Sequence, residues 1–120
     1  MKIAMSTSGQ DLDAPLDVRF GRARTFLIYD EERGSFELVD NTQNLNAAQG
    51  AGIQAAQHVV GSGARVLISG HCGPKAFRVL QAAGVAVYTS DAATLSEALA
   101  LYRSGSLIQQ NQADVEGHWV

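Results

Sequence analysis

Residues 66–77 read VLISGHCGPKAF, and they predict more of the fold than any other stretch of the chain. The apolar run at 65–69 is typical of a strand that is covered on both faces, and Gly70 follows it. Pro74 suits the first turn of a helix, where its missing N–H has no partner to lose. A buried strand, a glycine-bounded turn and a helix in this order predict a strand–helix–strand unit with parallel strands.

The residues on either side add further strands and helices to this unit. Residues 31–34 favour a turn between two strand-like segments, which predicts an antiparallel hairpin. Later in the chain strands alternate with helices, and this requires parallel pairing with right-handed crossovers. The order predicts an α/β fold in which a five-stranded mixed sheet is covered by about three helices. We expect strands at 2–5, 25–30, 35–40, 65–69 and 85–88, and helices at 50–60, 74–83 and 95–102.

Length and composition indicate one globular domain. The chain has 120 residues, of which 46% are hydrophobic and 18% charged, and this is enough for a single core. We assign residues 1–105 to one α/β domain. Residues 106–120 are expected to form a flexible C-terminal tail, because residues 109–112 read QQNQ and show no apolar period.

Charge and cysteine content narrow the possible functions. The formal net charge of −3 removes the bulk attraction that draws proteins to nucleic acid or to anionic membranes. Residues 1–6 turn polar before they could form a signal-peptide core, and no apolar run approaches a membrane span. The single cysteine, Cys72, cannot form an intramolecular disulfide and is expected to be a free thiol. We therefore expect a cytoplasmic protein that binds neither nucleic acid nor membrane.

Several short motifs occur in a fixed order along the chain. They are Lys2–Ile3–Ala4, Phe20–Gly21–Arg22–Ala23, residues 50–56 (GAGIQAA), residues 68–77 (ISG…GPKAF) and Ala83–Gly84–Val85. Together they resemble the dinitrogenase iron–molybdenum cofactor-binding family over roughly residues 1–105. The resemblance implies a ribonuclease-H-like three-layer fold without nuclease activity. It also implies a non-enzymatic carrier or biosynthetic accessory for an anionic molybdenum-containing sulfide cluster, of Mo–Cu–S or Mo–Fe–S type, with cluster-assembly proteins or ATPases as partners.

The chain departs from the family pattern at two places. Members often have a histidine before the Phe–Gly–Arg motif, where this chain has Arg19. Many have a histidine in the asparagine-rich loop, where residues 44–49 read NLNAAQ. The resemblance therefore favours charge and hydrogen bonding over histidine ligation from these two loops.

The candidate site residues supply what an anionic sulfide cluster needs. Arg19 and Arg22 offer positive charge, and the backbone N–H groups at the opening of the helix near Lys75 offer hydrogen bonds. A thiolate at Cys72, next to His71, would suit soft metal chemistry, and these two are the candidate metal ligands. Glycines would allow close backbone approach, and Asn44 would add a side-chain amide. The full set is Arg19, Phe20, Gly21, Arg22, Asn44, Gly50, Gly52, His71, Cys72, Gly73, Pro74 and Lys75.

Other interpretations of these residues remain open at this point. The arginines would equally serve as solvated residues flanking a strand, and Cys72 as a small buried side chain that fills a gap. His71–Cys72, five residues and Arg78 match the spacing of cysteine-dependent phosphatases, although Pro74 removes one N–H from the phosphate cradle. An interaction module that binds no cluster is a third possibility. A nuclease would need a carboxylate on the first strand, and residues 2–6 contain none.

Overall fold

A computed structural model describes residues 1–42 and 50–111 of the chain. In this part three strands come first, helices and strands then alternate to give six strands and three helices, and a short 3-10 helix, Phe20–Arg22, precedes the second strand. The elements are β1 (Lys2–Thr7), β2 (Thr25–Asp30), β3 (Ser35–Asp40), α1 (Ala51–Gly61), β4 (Val66–Ser69), α2 (Pro74–Ala82), β5 (Ala86–Thr89), α3 (Leu95–Arg103) and β6 (Ile108–Gln110).

The strands form one mixed sheet in the order β3–β2–β1–β4–β5–β6. β1, β4 and β5 run parallel, and the hairpin partners β2 and β3 pair antiparallel, which confirms the predicted mixed sheet and hairpin. The predicted number of five strands is wrong, because β6 pairs antiparallel with β5 and makes six. The sequence gives little sign of β6, since it is a short edge strand with two glutamines and Ile108 is 76% exposed. The domain boundary at residue 105 stays a prediction, and residues 112–120 lie outside the described part.

Helices cover both faces of the sheet and make three layers. Alternate residues of β1 point to opposite faces, so Ala4 packs with α1 and α2 while Ile3 and Met5 pack with α3. Because the sheet is covered on both sides, every residue of β4 and every residue of β1 after Lys2 is buried, and neither strand alternates between buried and exposed residues. None of the helices in residues 1–42 and 50–111 is long and apolar enough to cross a membrane.

Buried hydroxyls at the ends of β1 and β4 fasten the loop that follows β1. Ser6 Oγ donates to the carbonyl of Asp17 at 2.6 Å and lies 2.7 Å from Ser69 Oγ. A serine has one hydroxyl hydrogen, so Ser69 is the donor in the contact between the two serines. The backbone N–H of Asp17 in turn donates to the carbonyl of Ser6 at 2.8 Å. These hydrogen bonds hold the loop at Asp17 next to the carboxyl end of β4, where the candidate site is found.

Candidate functional site

A cleft of about 490 Å³ opens beyond the carboxyl end of β4. This is where ligands of open α/β sheets usually bind, at the entry to the helices that follow the strands. Its walls come from the Phe20–Arg22 turn, the first turn of α1 and the first turn of α2. The lining residues are Phe20, Gly21, Gly50, Gly52, Ile53, His71, Gly73, Pro74, Lys75 and Ala76. Eight of the twelve candidate site residues are among them.

Two distant motifs meet at one edge of this cleft. The backbones of Arg19 and His71 form an isolated parallel bridge, which joins the Phe20–Arg22 turn to the turn after β4. The contact needs a glycine, because a Cβ atom on Gly70 would overlap the carbonyl oxygen of Val18. The structure thus brings the two halves of the candidate site together.

The cleft also receives the N-terminal ends of two helices. Within the described residues no side chain caps α1 or α2, and neither helix has an acidic residue in its first turn. The first bonds within these helices are donated by Gln54 and Phe77, so the N–H groups before them belong to the orphan set at a helix start. Together with the helix dipoles, these N–H groups favour an anion.

The third helix is built differently at its start. Thr94 caps α3 by accepting a hydrogen bond from the N–H of Glu97 at 3.2 Å. The Glu97 carboxylate in turn accepts from the N–H of Ala93 at 3.1 Å, so the first turn is closed by its own side chains. This contrast distinguishes the two helix starts at the cleft from an ordinary capped helix.

Small residues let the two helix starts and the 3-10 turn converge. A Cβ atom placed on Gly21 would lie 3.1 Å from both Cα and N of Gly52. A Cβ atom on Gly52 would lie 3.4 Å from Cβ of Ala76 on α2. Any larger side chain at Gly21 would therefore separate the turn from α1 and widen the cleft.

The charges at the cleft differ from those that the sequence suggested. Arg19 forms a double contact with Asp17, at 3.1 Å from Nε to Oδ1 and 3.0 Å from Nη2 to Oδ2. This hydrogen bonding, with the charge of Asp17, raises the pKa of Arg19, and the carboxylate offsets its positive charge. Neither Arg19 nor Arg22 lines the cleft, whereas Lys75 and His71 do, and both of these are exposed.

Cys72 lies in the core and not on the cleft wall. Its side chain is fully buried and belongs to the apolar cluster that also contains Phe20, Ala76 and Phe77. Its backbone carbonyl accepts a hydrogen bond from Nε2 of Gln110 at 3.2 Å. This placement agrees with a small side chain filling a gap, and ligation by Cys72 stays a prediction. A phosphatase mechanism would need this thiol at the surface of the cleft.

Some lining residues were not anticipated, and one candidate lies outside the described residues. Ile53 and Ala76 are each the third residue of their helix. Because the first turn of a helix is where an anion binds, both could have been predicted from the expected helix starts. Asn44 lies outside the described residues. Among residues 1–42 and 50–111, no group of three or more His, Cys, Asp or Glu side chains is placed to hold a metal ion.

Comparison with known proteins gives a consistent family. The sequence model described as dinitrogenase iron–molybdenum cofactor matches residues 1–105. The apo form of the orange protein from Desulfovibrio gigas is 38% identical, with a TM-score of 0.90 over 95% of this chain and 96% of that one. A Thermotoga protein provisionally named as a NifB protein is 37% identical, with a TM-score of 0.83 over 97% and 98% of the two chains. An uncharacterised protein of Methanocaldococcus jannaschii is 30% identical over 110 residues, 89% of each chain.

Proposed function

This chain belongs to the dinitrogenase iron–molybdenum cofactor family, and we propose that it binds and carries, or helps to assemble, an anionic molybdenum-containing metal–sulfide cluster. The observation that carries the proposal is the convergence of two helix starts, uncapped by any described side chain, on one cleft. In this role the protein is a carrier or accessory protein and not an enzyme.

The chemistry of the cleft suits a large soft anion. Two helix N-termini supply N–H groups and positive partial charge, which favour an anion of any kind. Phe20, Ile53, Pro74 and Ala76 make much of the remaining wall apolar. A compact, strongly hydrated oxyanion would lose hydration against such a wall, while a sulfide cluster spreads its charge over soft sulfur atoms.

In this proposal the residues at the cleft have different roles in binding the cluster. Lys75 and His71 would face the ligand with positive charge or a ring nitrogen, and His71 would be the metal ligand. Gly21, Gly50 and Gly52 would allow the backbone to approach the cluster, and Gly73 and Pro74 would contribute the wall at the start of α2. Arg19 and Arg22 act through charge from outside the cleft lining, and Asn44 would add a side-chain amide. Cys72 would ligate the cluster only if its sulfur left the core. Charge and hydrogen bonding therefore contribute most of the binding in this proposal.

Several finer assignments belong to the same proposal. The cluster is of Mo–Cu–S or Mo–Fe–S type, and its donor or acceptor is a cluster-assembly protein or an ATPase. The strand order, with three antiparallel strands leading into a parallel set, suits the ribonuclease-H-like assignment of the fold. The cytoplasm suits a chain whose single cysteine is a free thiol.

The direct test is the metal content and visible absorption of the protein purified without chelator. We expect molybdenum together with sulfide, and visible charge-transfer bands. The apo protein, titrated with tetrathiomolybdate and copper(I), should develop such bands to a fixed stoichiometry. Absence of molybdenum in the purified protein, together with no saturable uptake of the probe, would contradict the proposal.

A further inference from the structure

Behind the cleft wall, a fully buried asparagine joins the Phe20–Arg22 turn to the end of β3. Asn41 Nδ2 donates to the carbonyl of Ala23 at 2.7 Å and, more weakly, to the carbonyl of Gly21 at 3.5 Å. The backbone N–H of Asn41 donates to the carbonyl of Arg24 at 2.9 Å. One residue therefore holds three successive parts of the turn and of the segment that leads into β2. Its burial makes these bonds strong determinants of where the turn lies.

The same asparagine is connected to α1 through a histidine. Asn41 Oδ1 lies 2.9 Å from Nδ1 of His58, which is on α1. The two carbonyls next to Asn41 can only accept, so the amide nitrogen must face them and the amide oxygen must face the histidine. An amide oxygen is itself an acceptor, so Nδ1 of His58 carries the hydrogen. This fixes the neutral ring in its Nδ1–H tautomer.

The consequence for the cleft follows from the position of Gly21. Its backbone packs so closely against that of Gly52 that an added Cβ atom would lie 3.1 Å from Gly52 Cα, and both glycines line the cleft. The connection from α1 through His58 and Asn41 reaches the carbonyl of Ala23 and, more weakly, that of Gly21, and so links the turn to α1. Neither Asn41 nor His58 lines the cleft, so both act at a distance from the ligand.

We propose that Asn41 and His58 are positioning residues for the ligand cleft, acting by holding the Phe20–Arg22 turn against α1 with His58 as the Nδ1–H donor. This inference rests on the proposed function only for the identity of the ligand. The placement of the turn and the tautomer are properties of the protein without ligand. They can be measured separately.

The test compares two substitutions of His58. In His58→Asn the side-chain nitrogen occupies the place of Nδ1 and can still donate to Asn41, while His58→Leu has no donor. With tetrathiomolybdate and copper(I) as the probe, His58→Leu should weaken binding about tenfold, the effect usual for residues that orient a binding shell. His58→Asn should restore most of the affinity. Equal affinity of His58→Leu and the unchanged protein would overturn the proposal.

Two measurements on the apo protein keep the inference independent of the probe. Long-range proton–nitrogen NMR of the neutral ring should place the hydrogen of His58 on Nδ1. The amide resonances of Gly21 and Gly52 should shift in His58→Leu and stay close to their original positions in His58→Asn. A ring with its hydrogen on Nε2, or unchanged glycine resonances in His58→Leu, would overturn the inference. Failure of the unchanged protein to bind the probe would instead overturn the proposed function, with these NMR results still deciding the placement.

Discussion

Arg19 and His71 pair through their backbones, although 51 residues separate them in the sequence, and this bridge joins the two halves of the cleft. The neighbouring residues make the bridge possible. Gly70 lies so close to the carbonyl of Val18 that no side chain fits between them. Both the fold and the candidate site therefore depend on this one crossing of the chain.

Substituting Gly70→Ala tests that crossing. The new Cβ atom would overlap the backbone of Val18, which cannot swing away like a flexible side chain, so the free energy of unfolding should fall by about 1–3 kcal/mol or more. Urea denaturation gives the measurement. Gly73→Ala is the matched control, because its Cβ would meet nothing within 4 Å and its φ is −65°. A Gly70→Ala protein as stable as Gly73→Ala would contradict the close approach.

Gly21→Ala should change the cleft more than the stability of the whole chain. The added methyl group would lie 3.1 Å from the backbone of Gly52 and should push the turn away from α1. We expect binding of tetrathiomolybdate and copper(I) to weaken about tenfold, as for other changes that misplace a binding shell. Gly61→Ala, at the far end of α1 with nothing within 4 Å, should leave the affinity unchanged. Equal affinities of the two variants would be evidence against a cleft closed by glycine contact.

Lys75 and Arg78 allow charge to be tested on a single helix. Both are exposed on α2, but only Lys75 lines the cleft. Lys75→Gln should weaken probe binding about twofold to fivefold, the range for an exposed ion pair, and the loss should shrink as salt is added. Arg78→Gln should leave binding unchanged. If both substitutions weaken binding equally, the net charge of the protein determines the affinity, and a direct contact of Lys75 with the ligand is contradicted.

The buried thiol gives a prediction about reactivity. Because the Cys72 side chain is fully buried, a thiol reagent should label the native protein slowly and the urea-unfolded protein at once. Cys72→Ala should keep probe binding, since the proposal gives the larger part to charge and hydrogen bonding. Rapid labelling of the native protein, or loss of the probe in Cys72→Ala, would show that the sulfur reaches the ligand.

The lowered pKa of Asp40 should make the free energy of unfolding depend slightly on pH. Hydrogen bonds from Thr42, whose backbone N–H lies 2.8 Å from Oδ1, and the nearby His58 lower the pKa of Asp40. A carboxylate with a lowered pKa stabilises the fold above its unfolded pKa of about 3.9, and this stabilisation is lost as the pH falls through the folded pKa. The unfolding midpoint of Asp40→Asn should therefore lie below that of the unchanged protein at pH 7, and the two should approach each other in acid. A constant difference from pH 7 to acid would argue against this assignment.

The sequence predicts the fold well where local patterns decide it. The apolar runs of β1 and β4, the turn at residues 31–34 and Pro74 at the start of α2 each predict their element, and these elements are present. β6 was missed because an edge strand of three residues needs no apolar alternation, and its pairing with β5 is a long-range choice. Local pattern contains no information about such a partner.

The sequence indicated which segments line the cleft, but not where two of the candidate side chains lie. Residue types at 71, 73–75 and 20–21 indicated an anion site, and these residues line one cleft. The same types at Arg19 and Cys72 gave no warning that Asp17 would engage the arginine or that the core would take the thiol. Side-chain direction and pairing depend on tertiary packing, and they were therefore not accessible from the sequence. The linkage of Asn41 to His58 was invisible for the same reason.

The most direct test of the central claim is amide NMR mapping of the bound cluster. Molybdenum(VI) and copper(I) have no unpaired electrons, so the amide resonances of the protein loaded with tetrathiomolybdate and copper(I) remain observable. We predict that the largest shifts occur at Gly21, at Gly52 and Ile53 in α1, and at Lys75 and Ala76 in α2. The capped start of α3, at Ser96 and Glu97, serves as the internal control and should not shift. Shifts centred on α3, or spread evenly over the surface, would contradict the account.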